Sequence, residues 1–227
     1  MTTYHEVAGT RVDRIAGLTD ALFAIALTLT VLEVRVPMHA KVMTETDLWS
    51  VIVPLAPRML AYLLSFMTLG IFWIGDQTFL NHLRRSDRYL TWLHLGYLAT
   101  IAIVPVSTGL LADYITYRVA VFLYWLNILL IGVMSLATVW YARRAGLLDG
   151  RAGEEAVAVL ERRLVMGQIL YAFGAALALL HTYWSIAFIV VVQVWFAVGP
   201  QRLPFRRYHA PSVHQAAASA APQRKEE

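Results

Sequence analysis

Long apolar stretches alternate with short charged ones along the first two hundred residues, and nearly all of the charge sits in the short stretches. A bilayer core is crossed by about 20 apolar residues as helix, so this alternation reads as membrane spans and loops. The first span is expected over 15–32, where it stops at Glu33, Arg35 and Pro37. The second runs over 59–74, after an amphipathic lead-in from Leu48 whose Pro54, Pro57 and Arg58 suit the interface. The third covers 89–111 and contains Pro105; the fourth covers 119–141, the fifth 164–180 and the sixth 184–198. Only His181, Thr182 and Tyr183 separate the last two, which predicts a tight antiparallel hairpin. The expected fold is all-α, a polytopic membrane protein of six transmembrane helices occupying 1–199, followed by a tail.

Composition strengthens this reading. The chain of 227 residues is 59% hydrophobic and only 15% charged, against about 25% charged for a soluble domain. The net charge of +4 is spread over separate loops and forms no continuous basic stripe, so no nucleic-acid partner is expected. The chain has no cysteine, which excludes disulfides, thiolate catalysis and Cys-ligated metals.

Charge also orients the spans, because short loops rich in Lys and Arg stay cytoplasmic. Fifteen of the nineteen Lys and Arg residues fall on one side, among them Arg11, Arg14, Arg84, Arg85, Arg88, Arg143, Arg144 and the basic residues of the tail. The other side holds Arg35, Lys41, Arg58 and Arg118. An even number of spans with both termini in the cytoplasm follows, and most of the seven Trp residues fall near expected span ends. The first span is flanked by Glu6 and Asp13 and lacks a small-residue cleavage site, so it is expected to be retained and not removed as a signal peptide. The tail, 200–227, is rich in Ala, Pro, Gln and charge and is expected to be disordered. The loop over 142–163 is expected to be solvated, its segment EEAVAVLERR extending the fifth helix into the cytoplasm.

The first span carries the candidate chemistry. Asp20 is its only ionisable residue, and a charge inside a membrane segment costs several kcal/mol unless it is paired or meets water. Arg14 lies six residues earlier, about 240° round an ideal helix, so a partner for either residue must come from another helix. Leu18, Ile25, Leu29 and Leu32 form one aliphatic stripe, with Thr28 about 60° from Ile25. Such a stripe is either a packing seam or, around a symmetry axis, a stack of apolar rings that gates ions by dewetting, with the Thr28 hydroxyls as a polar layer.

The order Arg14-Ile-Ala-Gly-Leu-Thr-Asp20, followed by Ala-Leu-Phe-Ala-Ile-Ala-Leu-Thr-Leu-Thr-Val-Leu and Pro37, resembles the R-x-x-x-F-S-D signature and first helix of the bacterial TMEM175 family of potassium channels. The resemblance continues through Ala61-Tyr-Leu-Leu-Ser-Phe66, Trp73, Pro105 and Thr108; beyond these, helices four to six match in hydropathy only. It implies a homotetramer of six-helix subunits in the cell membrane, without a TVGYG filter, whose pore is lined by the first helix of each subunit. It further implies Ile25, Leu29 and Leu32 as the pore constriction, Thr28 as a selectivity layer, and Arg14, Thr19 and Asp20 as a structural polar motif. The permeant ion would be K⁺, with no cofactor and no resident metal. The sequence departs from the signature at Leu18 and Thr19, and it has Asp76 and Gln77 where a His pair is expected in relatives. His82 and His94 do not fall at the matching places.

Other polar residues within spans, Ser65, Thr68, Asn127, Ser135, Gln168 and Gln193, read as bonds between helices. Gly167 and Gly174, seven apart, share a face suited to a helix contact. No HExxH, nucleophile elbow or phosphate-cradling loop is present, so an enzyme is not expected. A passive cation channel is the leading function. A proton-coupled transporter in which Asp20 titrates, or a non-catalytic membrane scaffold, are the alternatives.

Overall fold

The computed structural model describes residues 11–35 and 44–198. Its helices are α1 (Val12–Val31), α2 (Glu45–Ile52), α3 (Ala56–Leu80), α4 (Arg88–Ala102), α5 (Val104–Asp113), α6 (Arg118–Arg144), α7 (Gly150–Leu177) and α8 (Thr182–Val198), with a single 3₁₀ turn, Val53–Leu55, between α2 and α3. Pro105 explains why the expected third span is two helices. It has no N–H to bond the Ile101 carbonyl and its ring crowds the preceding turn, so α4 ends at Ala102 and α5 restarts at Val104. Counting α4 and α5 as one span gives the six-helix fold: α1, α3, α4–α5, α6, α7 and α8.

Length and composition suffice for crossing a bilayer in Val12–Val31, Glu45–Leu80, Arg88–Asp113 and Arg118–Arg144. The apolar helix α8 has 17 residues, at the short end of that range. The first half of α7 is charged and contains the segment EEAVAVLERR, which extends the fifth helix as expected.

Local signals set the ends. Thr44 and Asp47 cap α2 reciprocally, each side chain accepting from the other residue's backbone N–H. Asp87 caps α4 by accepting from Leu90 N–H at 2.7 Å, and its second oxygen accepts from the Tyr141 hydroxyl at 2.8 Å. The second span extends to Leu80, six residues past the expected end at Ile74: Gln77 donates to Asp20 of α1, and Asp76 is buried with Oδ2 3.7 Å from His94 Nε2 of α4.

Two apolar clusters hold the bundle. The larger joins Phe23 of α1, Leu69 of α3, Tyr97 and Ile101 of α4, Ile128 and Ile131 of α6 and Ile189 of α8. The smaller lies at the end of the bundle where α1 begins, and gathers Ile15, Phe79, Leu90, Val139, Leu147, Val157 and Leu160. The segment over 142–163 is therefore not simply solvated. Val157 is wholly buried, and the turn before α7 pairs with the turn after α3, Arg84 N–H donating to Leu147 O at 2.9 Å and Asp149 N–H to His82 O at 2.8 Å.

Polar side chains tie the helices as expected. Thr108 donates to Ser65 at 2.6 Å, Gln193 to Thr68 at 2.7 Å and Ser107 to Asn127 at 2.9 Å, while Gln168 donates to the Ile128 carbonyl at 3.3 Å. Ser135 joins no such bond among the described residues. The hairpin of α7 and α8 closes through the expected glycine face: Gly167 faces Phe196, and a Cβ on Gly174 would stand 2.9 Å from Cγ1 of Ile189. The expected disordered tail lies outside the described residues, as do Pro37 and Lys41.

Candidate functional site

Helix α1 has two unlike faces. Ile15, Thr19, Phe23, Ala26 and Thr30, spaced four, four, three and four apart, are buried against the rest of the subunit. The opposite face carries Leu18, Ile25, Leu29 and Leu32, all exposed in the subunit, Ile25 by 58% and Leu32 by 64%. The aliphatic stripe is thus not a seam within the subunit. Its counterpart is either lipid or another chain.

Thr28 lies on the exposed side, and its hydroxyl donates back to the Ala24 and Ile25 carbonyls at 3.0 and 2.8 Å. The proton is therefore directed into the helix, and the oxygen lone pairs are left facing outward, the polarity that suits a cation. Thr30 makes the same kind of bond, to Leu27 O at 2.7 Å, but is fully buried.

The polar motif lies toward the start of α1 and is divided between two neighbouring helices. The Asp20 carboxylate oxygen Oδ1 accepts from Trp73 Nε1 at 2.9 Å and Gln77 Nε2 at 2.6 Å, both on α3. Thr19, wholly buried, shares a 2.8 Å hydrogen bond with His94 Nε2 of α4. The same His94 nitrogen is 3.7 Å from Asp76 Oδ2, and the His94 ring rests 5.4 Å from that of Tyr97. Two consecutive residues of α1 therefore fasten it to two different helices. Arg14 stands apart: it is exposed and makes no ion pair among the described residues.

Sequence reasoning identified Thr19 and Asp20 but missed their partners. By position Trp73 falls next to the expected end of the second span, where aromatic rings gather. It lies seven residues inside the end of α3 and donates to a carboxylate. Gln77 stands where a His is expected and His94 lies outside the matching place, yet each supplies a bond to the motif through a different helix. The available signal was that His94 is an ionisable residue within an expected span, which is expensive unless paired. Among the described residues no three His, Cys, Asp or Glu side chains converge as a metal site.

Comparison with known proteins places this geometry. The sequence pattern of the family described as "Endosomal/lysosomal potassium channel TMEM175" matches residues 14–105, the part containing the motif, the stripe and all of the partners above. A potassium channel of Chamaesiphon minutus is 30% identical over 82% of this chain and 93% of its own length. A potassium channel of Streptomyces collinus is 29% identical over 88% of this chain and 98% of its own. The human endosomal/lysosomal proton channel TMEM175 is 28% identical over 78% of this chain but only 34% of its own length. The crystal structure of a lysosomal potassium-selective channel TMEM175 homolog from Chamaesiphon minutus superposes with a TM-score of 0.72 at 28% identity, covering 82% of this chain and 96% of that one. The chain, a multi-pass membrane protein, belongs to the bacterial TMEM175 family of potassium channels.

Proposed function

We propose that the protein is a passive, potassium-permeable cation channel of the cell membrane, a homotetramer whose pore is lined by α1 of each subunit. Both termini are in the cytoplasm, and transport needs no cofactor or chemical reaction. The observation that carries this reading is the exposed face of α1. One side of the helix is packed against the subunit, whereas the side bearing Ile25, Thr28, Leu29 and Leu32 is exposed in it.

Lipid is also a poor counterpart for the flank of α1 that carries Asp20, about 140° round from Ile25 on ideal geometry. Asp20 is exposed in the subunit and lies eight residues, about 12 Å, from the start of α1. A charged side chain facing the bilayer interior costs at least about 2.5–3.5 kcal/mol, so the Asp20 side favours protein or water as neighbour. One helix cannot enclose a pore, and closed rotational symmetry is the usual arrangement of identical chains. Four copies around an axis turn Ile25, Leu29 and Leu32 into stacked apolar rings, and Thr28 into a ring of outward lone pairs between the first two. The apolar rings resist wetting, while the oxygen ring offers a partial substitute for the hydration shell of K⁺.

The test is a reversal-potential measurement on purified protein in planar bilayers with opposed K⁺ and Na⁺ gradients, paired with mass measurement of the oligomer in detergent. A tetramer with ohmic current and a K⁺-favouring reversal potential is expected. A stable monomer sinks the shared pore, whereas a dimer with saturable, proton-dependent flux replaces the channel with a transporter built on Asp20.

A further inference from the structure

At the end of α1 opposite the Thr19 and Asp20 motif lies a group of charges that the conduction reading does not use. Glu33 directly follows Leu32, yet its side chain is only 21% exposed. It is folded onto Gly109 of α5, where a Cβ would stand 2.8 Å from Glu33 Cδ and closer still to Oε2. Only a residue without a side chain leaves room for the carboxylate there. Arg35 reaches Glu33 Oε2 at 3.4 Å. Arg58, at the start of α3, donates to the Glu33 backbone carbonyl at 3.5 Å and pairs with Asp113 at the end of α5 at 2.7 Å. The end of α1 is thereby clasped to both α3 and α5.

The charges of this clasp cancel, two carboxylates against two guanidinium groups. As built it is not an acidic mouth that concentrates cations. The register of Glu33 nevertheless places it at the boundary of the two faces of α1, about 40° from Leu29 and about 80° from Ile25 on ideal geometry. A side-chain rotation away from Gly109 is enough to bring the carboxylate to the exposed face.

We infer that Gly109 is a seat that parks the Glu33 carboxylate off the ion path, so that the mouth of the pore next to Leu32 is electrically neutral. The inference rests on α1 lining the pore. Four carboxylates parked beside Arg35 leave the local cation concentration near its bulk value, while four released from Arg35 and turned to the exposed face bring negative charge to the ion path and raise it, an effect that fades as the Debye length falls from about 30 Å at 10 mM salt to about 3 Å at 1 M. Gly109 is accordingly a positioning residue for conduction, acting through Glu33.

Two readouts on full-length protein test this. In Gly109→Ala, coupling of a carbodiimide-activated amine to Glu33, followed by mass spectrometry, should rise several-fold over the parent. Unitary K⁺ conductance at about 10 mM salt should rise about twofold or more, with the gain vanishing near 1 M. Adding Glu33→Gln to Gly109→Ala should abolish the gain. Glu33→Gln combined with Arg35→Gln removes one charge of each sign and guards against misfolding of the alanine variant: with the carboxylate parked and paired, its low-salt conductance should match the parent's, and a several-fold fall overturns the inference. Unchanged labelling of Glu33 in an intact Gly109→Ala tetramer also overturns it, as does raised labelling with unchanged low-salt conductance. Leu29→Asn in the same bilayers tells the two failures apart. If it too leaves current unaltered, the pore reading has failed; if it changes current, only the parking of Glu33 has.

Discussion

The Thr19 hydroxyl lies 2.8 Å from His94 Nε2, joining two wholly or nearly wholly buried polar groups that are 75 residues apart in the chain. This bond passes from α1 to the third span at the level of the motif. Removing it leaves a buried ring nitrogen without its hydrogen-bond partner, with Asp76 Oδ2 3.7 Å away. Thr19→Val keeps the shape and deletes the hydroxyl, and is expected to cost about 1–3 kcal/mol. Thr19→Ser retains the bond and should cost well under half of that. Thermal unfolding in detergent measures both, and equal losses for Val and Ser would show that the bond contributes nothing.

Asp20 offers a separable test of the second attachment. Its Oδ1 receives two donors, Trp73 Nε1 and Gln77 Nε2, on one oxygen. Charge-assisted bonds contribute more than neutral ones, but the exposure of Asp20 weakens them. A double-mutant cycle of Asp20→Asn with Gln77→Ala should give a coupling of roughly 0.5–1.5 kcal/mol in stability. The cycle of Asp20→Asn with Gln168→Ala should be additive within about 0.5 kcal/mol, because Gln168 bonds to the Ile128 carbonyl instead.

What was legible in the chain follows from which forces act locally. Apolar run lengths gave the helices and their order, since a bilayer imposes a minimum span on each. Pro105 was visible as an interruption, but not that it would split the span into α4 and α5. The exposed stripe of α1 was legible because helical period alone places Ile25, Leu29 and Leu32 together. The partners of Thr19 and Asp20 were not, because a side chain 53 to 75 residues away leaves no trace in local periodicity. Val157 and Leu160 were similarly hidden, as two apolar residues in a charged segment whose burial depends on a turn elsewhere in the bundle.

The topology follows from charge and is independent of any pore. With fifteen of nineteen basic residues on one side, both termini are expected in the cytoplasm. Reporter fusions after the C-terminus and within residues 38–47 should read opposite sides. A same-side result breaks the six-span arrangement.

Two glycines separate packing from propensity. A Cβ on Gly174 would meet Ile189 at 2.9 Å and Phe188 at 3.2 Å, whereas one on Gly70 meets nothing within 4 Å. Gly174→Ala should destabilise the α7–α8 hairpin by about 1–3 kcal/mol through overpacking. Gly70→Ala, in the interior of α3, should be neutral or stabilising by up to about 1 kcal/mol, unless the open side is a subunit contact. Thermal unfolding distinguishes these, and tetramer mass reports whether Gly70 faces a sister chain.

The exposed face of α1 sets the sharpest test of conduction. Asn in place of Ile25, Leu29 or Leu32 puts a polar ring where apolar rings resist water, and should raise conductance or leak by several-fold. Leu27, about 200° round from Ile25 on ideal geometry, packs against the main core, so a polar group there is expected to lower stability. Val31 serves better as a control: it is 45% exposed, but lies six residues from Ile25, about 120° to one side on ideal geometry. Val31→Asn should leave unitary conductance unchanged. Thr28→Val removes the outward lone pairs while nearly keeping the shape, so it should shift the K⁺ over Na⁺ preference more than it shifts assembly. If the three Asn variants form intact tetramers and conduct as the parent does, the exposed face of α1 meets lipid or a sister subunit, and the ions pass elsewhere.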